Sequence, residues 1–281
     1  MQWQGRRQSS NVDDRRGISG GQVAFGGGLI GVIFLIAQFL LGDGDISQLP
    51  DVIPQQQTEL TAEEKAAEDQ LASFVKVVLA DTEDVWTKLF NDIGRNYQKP
   101  TLVLFRDGTT SGCGTATSAS GPFYCPADND VYIDLSFAYE LKRRFNASGD
   151  FAMAYVIAHE VGHHVQYLMG TTEKMARLRQ QVSQGEYNKY SVRLELQADF
   201  YAGVWAHHDQ KMKNVLDPSD IDEALNAANA IGDDRLQREA QGRVTPDAFT
   251  HGTSAQRMYW FKKGFDTGDL SQGDTFAAGA L

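Results

Sequence analysis

Apolar residues recur at helical spacing over most of the chain beyond residue 60, and alternating patterns are confined to short segments. Residues 102–105 and 131–135 have the composition of strands. Helices are predicted at about residues 61–80, 82–93, 137–146, 150–169, 172–184, 190–208, 219–230, 234–241 and 254–265. This balance predicts an α+β fold that is mostly helical and contains a small sheet.

A continuous apolar run near the N-terminus breaks the amphipathic pattern. Residues 23–41 carry no charge and only one strongly polar side chain, Gln38. As a helix, this run would be about 28 Å long, which is enough to cross the hydrocarbon core of a bilayer. We therefore predict a transmembrane helix at residues 22–42. A buried core helix is the alternative.

The predicted membrane helix divides the chain into four parts. Residues 1–21 form a polar tail with four arginines, residues 43–60 a linker, and residues 61–281 the folded domain. Arginines before the helix and aspartates after it favour a cytoplasmic N-terminus. We expect a single-pass membrane protein whose domain lies on the opposite side from the tail.

The pattern H-E-x-x-H at residues 159–163 lies within one of the predicted helices. Residues four apart share a helix face, so His159 and His163 can bind one zinc ion together. Glu160 lies about 100° round the helix, where it can reach water at the metal without being a ligand. The alternative is an amphipathic helix with two histidines that bind no metal.

A catalytic zinc site needs a third protein ligand and one open position. Glu195 and Asp199 are again four apart, on a helix that is apolar over much of its circumference. Glu195 is the candidate third ligand, and Asp199 is placed to accept a hydrogen bond from a zinc-bound histidine. Two solvated acids on a helix surface are the alternative.

Net charge bears on the type of partner, and the cysteine content bears on a possible disulfide. A net charge of −11 disfavours nucleic acid as a partner. Cys113 and Cys125 are the only cysteines, and in an oxidising compartment we predict a disulfide between them, worth about 2–3 kcal/mol. Two further metal ligands are the alternative, although their spacing is too wide for a C-x-x-C site.

Three blocks of sequence resemble a known family. HEVGHHVQ at residues 159–166, ELQADFYAGVWA at 195–206 and HGTSAQR at 251–257 are similar to the bacterial neutral zinc metallopeptidases of the YpfJ-like family. More broadly, the chain resembles the gluzincin peptidases, and the resemblance covers almost all of it. It implies a zincin-like domain, one Zn²⁺ per chain, a peptide or protein substrate, and the bacterial inner membrane as location, with the domain periplasmic or extracellular.

The resemblance also implies roles for individual residues. It makes His159, His163 and Glu195 the zinc ligands, Glu160 the general base and Asp199 the support of the first histidine.

Candidates to stabilise the transition state lie outside the zinc-binding pair of motifs. His251, in the third block, is the main candidate, and a histidine in an ordinary loop is the alternative. Arg257 and Tyr155 are weaker candidates. The resemblance further implies that residues 131–135 form an edge strand that pairs with extended substrate, with an internal strand as the alternative.

The remaining histidines and the C-terminus are given structural interpretations. His164 follows a ligand on the helix but faces away, so we expect it to pack rather than to bind metal. His207 and His208 lie near a predicted helix end, where they are expected to be structural. The last ten or so residues, rich in glycine and alanine, are expected to fray.

The primary hypothesis is a membrane-anchored zinc metallopeptidase. The residues leave two alternatives open. One is a non-catalytic envelope module with a structural zinc site, and the other is a zinc amidase that acts on cell-wall peptides.

Overall fold

The computed structural model describes residues 1–17, 61–143, 147 and 149–280. The predicted membrane helix at 22–42 and linker at 43–60 lie outside the described residues and stay predictions. Within the described ranges, no helix is both long enough and apolar enough to span a bilayer. The predicted α+β class, mostly helical with a small sheet, is confirmed.

Helices form most of the described part of the chain. They are α1 (Ala62–Asp92), α2 (Phe137–Arg143), α3 (Asp150–Leu168), α4 (Thr171–Arg179), α5 (Gln184–Lys213), α6 (Asp220–Ala230), α7 (Asp233–Gln241) and α8 (Ser254–Thr267). The two helices predicted to carry the metal ligands correspond to α3 and to the middle of α5.

Helix α1 is one continuous helix, where we predicted two with a break near residue 81. It starts with a capping box, in which the Thr61 side chain accepts from the Glu64 backbone N–H and the Glu64 side chain accepts from the Thr61 backbone N–H. The polar residues at the predicted break are buried and hold partners elsewhere in the fold. Asp81, for example, pairs with Arg6 and Lys213. Tertiary contacts therefore carry the helix through a segment that is polar in sequence.

The main sheet has four strands: β1 (Val12–Asp14), β2 (Thr101–Phe105), β5 (Phe123–Cys125) and β6 (Asp130–Asp134). Their spatial order is β1-β2-β6-β5, with parallel pairing except between β5 and β6. The expectation of an edge strand at residues 131–135 is wrong, because β6 pairs on both sides. The antiparallel outer strand is β5, whose three residues are too few to give a periodic signal.

A small hairpin lies between β2 and β5 along the chain. Its strands are β3 (Gly108–Ser111) and β4 (Gly114–Thr117). The predicted disulfide between Cys113 and Cys125 is confirmed, with the two Cα atoms 5.8 Å apart. It ties the hairpin turn to β5, so this short strand is held by a covalent link as well as by β6.

Residues 1–17 pack on the domain, whereas the predicted division made residues 1–21 a separate tail. Strand β1 pairs with β2, and the Ser9 backbone N–H donates to the Lys76 carbonyl. The Met1 amino group lies 2.7 Å from Asp150. Each of the four arginines in this segment is ion-paired: Arg6 with Asp81, Arg7 with Glu83 and Asp84, Arg15 with Asp13, and Arg16 with Asp14 and Asp69.

The C-terminal segment is also ordered against the domain, so the expectation that it frays is wrong. Arg193 on α5 donates to the backbone carbonyls of Thr275 and Ala277, at 2.7 and 3.0 Å. In return, the Thr275 hydroxyl donates to the Arg193 carbonyl, and Thr275 is fully buried. Long-range hydrogen bonds thus fix a segment whose composition alone favours disorder.

Helix α3 is the centre of the fold, and it is buried over nearly its whole length between α1, α5 and α6. Helix α5 in turn packs closely on α8 through two glycines. An added Cβ at Gly203 would lie 2.0 Å from the Phe261 carbonyl oxygen, and one at Gly264 would lie 2.1 Å from that of Phe200. This close approach brings the block at residues 251–257 against the helix that carries Glu195.

Candidate metal centre

Helices α3 and α5 bring together the three predicted metal ligands. His159 and His163 project from the same face of α3, with ring centroids 4.8 Å apart. The carboxylate of Glu195 on α5 faces both rings. Its oxygens lie 3.1 Å from His159 Nε2 and 3.5 Å from His163 Nε2. Each of the three residues offers one possible ligand atom, and these three atoms lie within 4.8 Å of one another.

The chemistry of this donor set fits zinc. Two imidazole nitrogens and one carboxylate oxygen are the usual three protein ligands of a catalytic zinc ion, which keeps a fourth position open. Both histidines offer Nε2 to the common point, while each Nδ1 is engaged elsewhere. The site is therefore arranged so that the metal-facing nitrogens can be unprotonated.

His159 is supported by a charged network. Its Nδ1 lies 2.8 Å from Asp199 Oδ1, as predicted for a residue that fixes the tautomer. Asp199 also accepts from Arg257 at 2.8 and 2.9 Å and from the Tyr155 hydroxyl at 2.5 Å. Arg257 and Tyr155, considered above as transition-state donors, therefore lie behind His159 and bind Asp199.

The electrostatics of this network follow from burial and charge together. Burial alone would raise the pKa of Asp199, but Arg257 and His159 lower it to about 2. Burial alone would lower the pKa of His159, but the Asp199 and Glu195 carboxylates raise it to about 10 in the metal-free site. Asp199 is thus held as a carboxylate, the form that accepts the His159 Nδ1–H.

His163 is supported by a neutral side chain that was not predicted from the sequence. Its Nδ1 lies 2.9 Å from Gln166 Oε1, three residues further along α3. The amide of Gln166 donates to the Leu194 carbonyl at 2.6 Å and to Gln197 Oε1 at 3.2 Å. The spacing of three residues on a predicted helix was the available signal.

Glu160 is buried beside the three predicted ligands. Burial raises the pKa of its carboxyl, and the nearby histidines only partly oppose that rise. The raised pKa makes the Glu160 carboxylate a stronger base than an exposed glutamate, so it is better suited to take a proton from water.

His251 lies in a loop anchored by Asp233. Asp233 Oδ2 accepts from the backbone N–H groups of Thr250, His251 and Gly252, at 2.7, 2.6 and 3.1 Å. Its other oxygen lies 3.2 Å from His251 Nδ1, and the His251 side chain remains 51% exposed. No sequence motif marks Asp233, so this partner of His251 was not predicted.

The electrostatic coupling of His251 reaches the candidate metal ligands. Partial desolvation would lower the pKa of His251, but Asp233 and Glu195 raise it. In the opposite direction, the charge of His251 helps to lower the pKa of Glu195, which His163 lowers more strongly. The loop at residues 250–252 therefore lies within electrostatic range of the site.

The other histidines have the structural contacts expected of them. His164 is buried, with Nδ1 3.0 Å from the Tyr124 hydroxyl and Nε2 2.6 Å from the Gln98 carbonyl. His207 and His208 contact the backbone carbonyls of Phe265 and Gly268.

Comparison with known proteins agrees with this geometry. Residues 1–276 match the family described as "Putative neutral zinc metallopeptidase", and the chain belongs to that family. YpfJ of Escherichia coli (strain K12) is 52% identical over 98% of this chain and 99% of its own. Rv2575 of Mycobacterium tuberculosis (strain ATCC 25618 / H37Rv) is 46% identical over 66% of this chain and 65% of its own. No solved structure matches the chain.

Proposed function

We propose that this protein is a zinc-dependent peptidase that hydrolyses peptide bonds, with His159, His163 and Glu195 as the ligands of one zinc ion. The convergence of these three side chains, with Glu160 buried beside them, is the observation that carries the proposal. Membership of a family of zinc metallopeptidases supports the reaction class.

The chain's own residues account for the proton transfers of the reaction. When bound, zinc supplies Lewis-acid polarisation of the scissile carbonyl and makes water more acidic. Glu160 takes a proton from the attacking water and returns it to the leaving amine. Asp199 and Gln166 hold the two histidine rings in the orientation that leaves Nε2 free.

The first test counts zinc per chain in the full-length protein. Wild type should bind about one equivalent, and Glu195→Ala should lose most of it. Glu186→Ala, an exposed glutamate on the same helix, is the matched control and should bind as wild type does. A folded wild-type protein that binds no zinc would overturn the proposal.

The second test separates catalysis from metal binding. Glu160→Gln should keep its zinc and lose nearly all turnover of casein, because the amide cannot accept the proton. Purified wall peptides in a parallel assay distinguish a peptidase from an amidase of the cell wall. Turnover by Glu160→Gln at the wild-type rate would contradict the assigned role.

We further propose that His251 donates a hydrogen bond to the carbonyl oxygen as negative charge develops on it. Its contact with Asp233 supports a protonated ring with Nε2–H available. His251→Ala should reduce kcat by roughly 100- to 1000-fold while zinc content stays the same. Asp233→Asn should reduce kcat by less, and a His251→Ala enzyme with normal kcat would exclude the role.

Membrane attachment through residues 22–42 remains a proposal, and the packing of residues 1–17 bears on its topology. A single crossing between residues 17 and 61 would place β1 and β2 on opposite sides of the bilayer, although they are hydrogen-bonded neighbours. The arginines taken above as an orientation signal also have partners within the fold. We therefore propose that residues 1–17 and the domain occupy the same side.

Cysteine labelling tests this topology. Gln8 and Lys211 are both exposed, one in the N-terminal segment and one on α5. Gln8→Cys and Lys211→Cys should react alike with a membrane-impermeant maleimide in intact cells that express the full chain. Labelling of one variant but not the other, with both labelled after lysis, would restore the single-pass arrangement.

A further inference from the structure

Three successive hydrogen bonds connect a metal ligand to the C-terminal segment. His163 Nδ1 lies 2.9 Å from Gln166 Oε1, and Gln166 Nε2 donates to Gln197 Oε1 at 3.2 Å. Gln197 Nε2 then donates to the Gly273 carbonyl at 3.0 Å. Both glutamines are buried, and we call this path from His163 to Gly273 the amide relay.

The direction of the amide relay is fixed by its acceptors. The carbonyls of Leu194 and Gly273 can only accept, so the –NH₂ group of each glutamine must face them. Oε1 of Gln166 is then left facing His163, and an amide oxygen cannot donate. The His163 ring must therefore carry its proton on Nδ1, which leaves the lone pair of Nε2 for the metal.

The far end of the amide relay is itself anchored. Gly273 lies two residues before Thr275, whose backbone and hydroxyl both bond Arg193 on α5. An added Cβ at Gly273 would lie 2.5 Å from the ring of Phe200, so the backbone reaches the helix closely at this point. Since Gln197, Phe200 and Arg193 all belong to α5, the segment braces the helix that carries Glu195.

We propose that Gln166 and Gln197 are positioning residues, which fix the tautomer and ring orientation of His163 and depend on the C-terminal segment at residues 273–277. The inference rests on the proposed zinc site, but it concerns metal affinity rather than turnover. Hydrogen bonds of this kind behind a ligand typically change metal affinity by about 10- to 100-fold.

The test measures zinc dissociation constants by chelator competition, with Zn²⁺ alone as the probe and the full chain as the protein. Gln166→Met keeps a similar volume but offers no acceptor to His163, so zinc should bind about 10- to 100-fold more weakly. Gln197→Met removes only the second link and should weaken binding by a smaller factor. Gln181→Met, an exposed position, is the matched control.

A packing role predicts the opposite order of effects. Gln166→Glu keeps an oxygen for His163 but buries a charge, so it should retain more zinc affinity than Gln166→Met despite lower stability of the metal-free fold. If Gln166 merely fills space, Gln166→Met should be the better tolerated of the two in both measurements. Urea unfolding of each metal-free variant separates stability from affinity.

The outcomes distinguish this inference from the proposed function. Wild-type zinc affinity in Gln166→Met would overturn the relay while leaving the peptidase proposal intact. No zinc bound by folded wild type would overturn both. Weaker zinc binding by Gln166→Met, with the unfolding free energy of the metal-free variant near that of wild type, would support the relay as a positioning device, because the loss would then lie in the site and not in the fold.

Discussion

Asp199 and Asp209 lie on the same helix, α5, and both are completely buried, yet their environments are opposite. Asp199 accepts hydrogen bonds from Arg257 and Tyr155 and contacts His159, and its pKa falls to about 2. Within the described part of the chain, neither carboxyl oxygen of Asp209 has a hydrogen-bond partner. Burial, reinforced by the charge of Asp81, raises its pKa to about 7.

The difference lies in how nearby cations are shared. Arg257 directs two N–H groups at Asp199, and no other described carboxylate lies within hydrogen-bond distance of Arg257. Lys213 is 3.5 Å from Asp209, but its closer contacts are Asp81 at 2.7 Å and Asp84 at 2.8 Å. Burial therefore does not decide whether a carboxyl group is charged, because dedicated donors can outweigh it.

Removing the cation at Asp199 should have the largest effect. Arg257→Leu leaves a buried carboxylate beside His159 without its main compensation, which should cost about 3–5 kcal/mol of unfolding free energy. Urea unfolding measures the loss, and zinc affinity should fall with it. Arg257→Lys should lose less, because it keeps the charge but not both hydrogen bonds. An Arg257→Leu protein as stable as wild type would remove the contrast between the two aspartates.

Neutralising Asp209 should have the opposite sign. Asp209→Asn removes a poorly compensated buried charge and its repulsion of Asp81. At pH 8 the variant should be more stable by roughly 1–3 kcal/mol, since each pKa unit corresponds to about 1.4 kcal/mol. Thermal unfolding at pH 8 tests this, and a lower Tm would show that Asp209 is stabilised by contacts that the structure does not explain.

The same group predicts a pH dependence of stability. Burial raises the pKa of Asp209 from 3.8 to about 7 in the folded chain. Between these two pH values, the folded chain therefore holds a proton that the unfolded chain has lost. The contribution of this proton to the free energy of unfolding is complete below the unfolded pKa and is lost as pH rises through about 7. The stability of wild type relative to Asp209→Asn should therefore fall between pH 4 and pH 7 and then level off. A constant difference across that range would contradict the assignment.

The smallest effect on stability should come from Asp81, the acid whose charge acts on Asp209. Asp81→Asn removes the charge that adds to the pKa rise of Asp209, and it removes one of the two acids that lie closer to Lys213 than Asp209 does. The pH transition described above should move lower by about one pKa unit, a change near 1.4 kcal/mol at its largest. Comparing the pH series of Asp81→Asn with that of wild type measures it, and an unmoved transition would leave burial as the whole cause.

Local patterns predicted some elements well and failed on others for identifiable reasons. Helices α3 and α5 were predicted because their apolar residues repeat along many turns. Strands β1 and β5 were missed, since three residues carry no measurable period and their pairing partners are distant in sequence. Strand β6 was found but placed at the edge of the sheet, which depends on β5 lying beyond it.

The candidate metal site shows the same division. His159, Glu160 and His163 were predicted from their spacing, and Glu195 and Asp199 from a second spacing of four. Gln166, Asp233 and the role of Arg257 were not, because each acts through a contact with a residue on another element or another turn. Amide, carboxylate and guanidinium side chains are common on helices, so only the partners of these three residues connect them with the candidate site.

The sequence by itself determined which residues share a helix face, because the helical period is fixed by backbone geometry and holds in any fold. It therefore determined the pair His159 and His163, and it predicted the partner of Cys113. Only the tertiary structure decided that Glu195 faces both rings, that Arg257 supports Asp199, and that residues 1–17 complete the sheet. Those contacts depend on how helices rotate and pack against each other, and no local period encodes that packing.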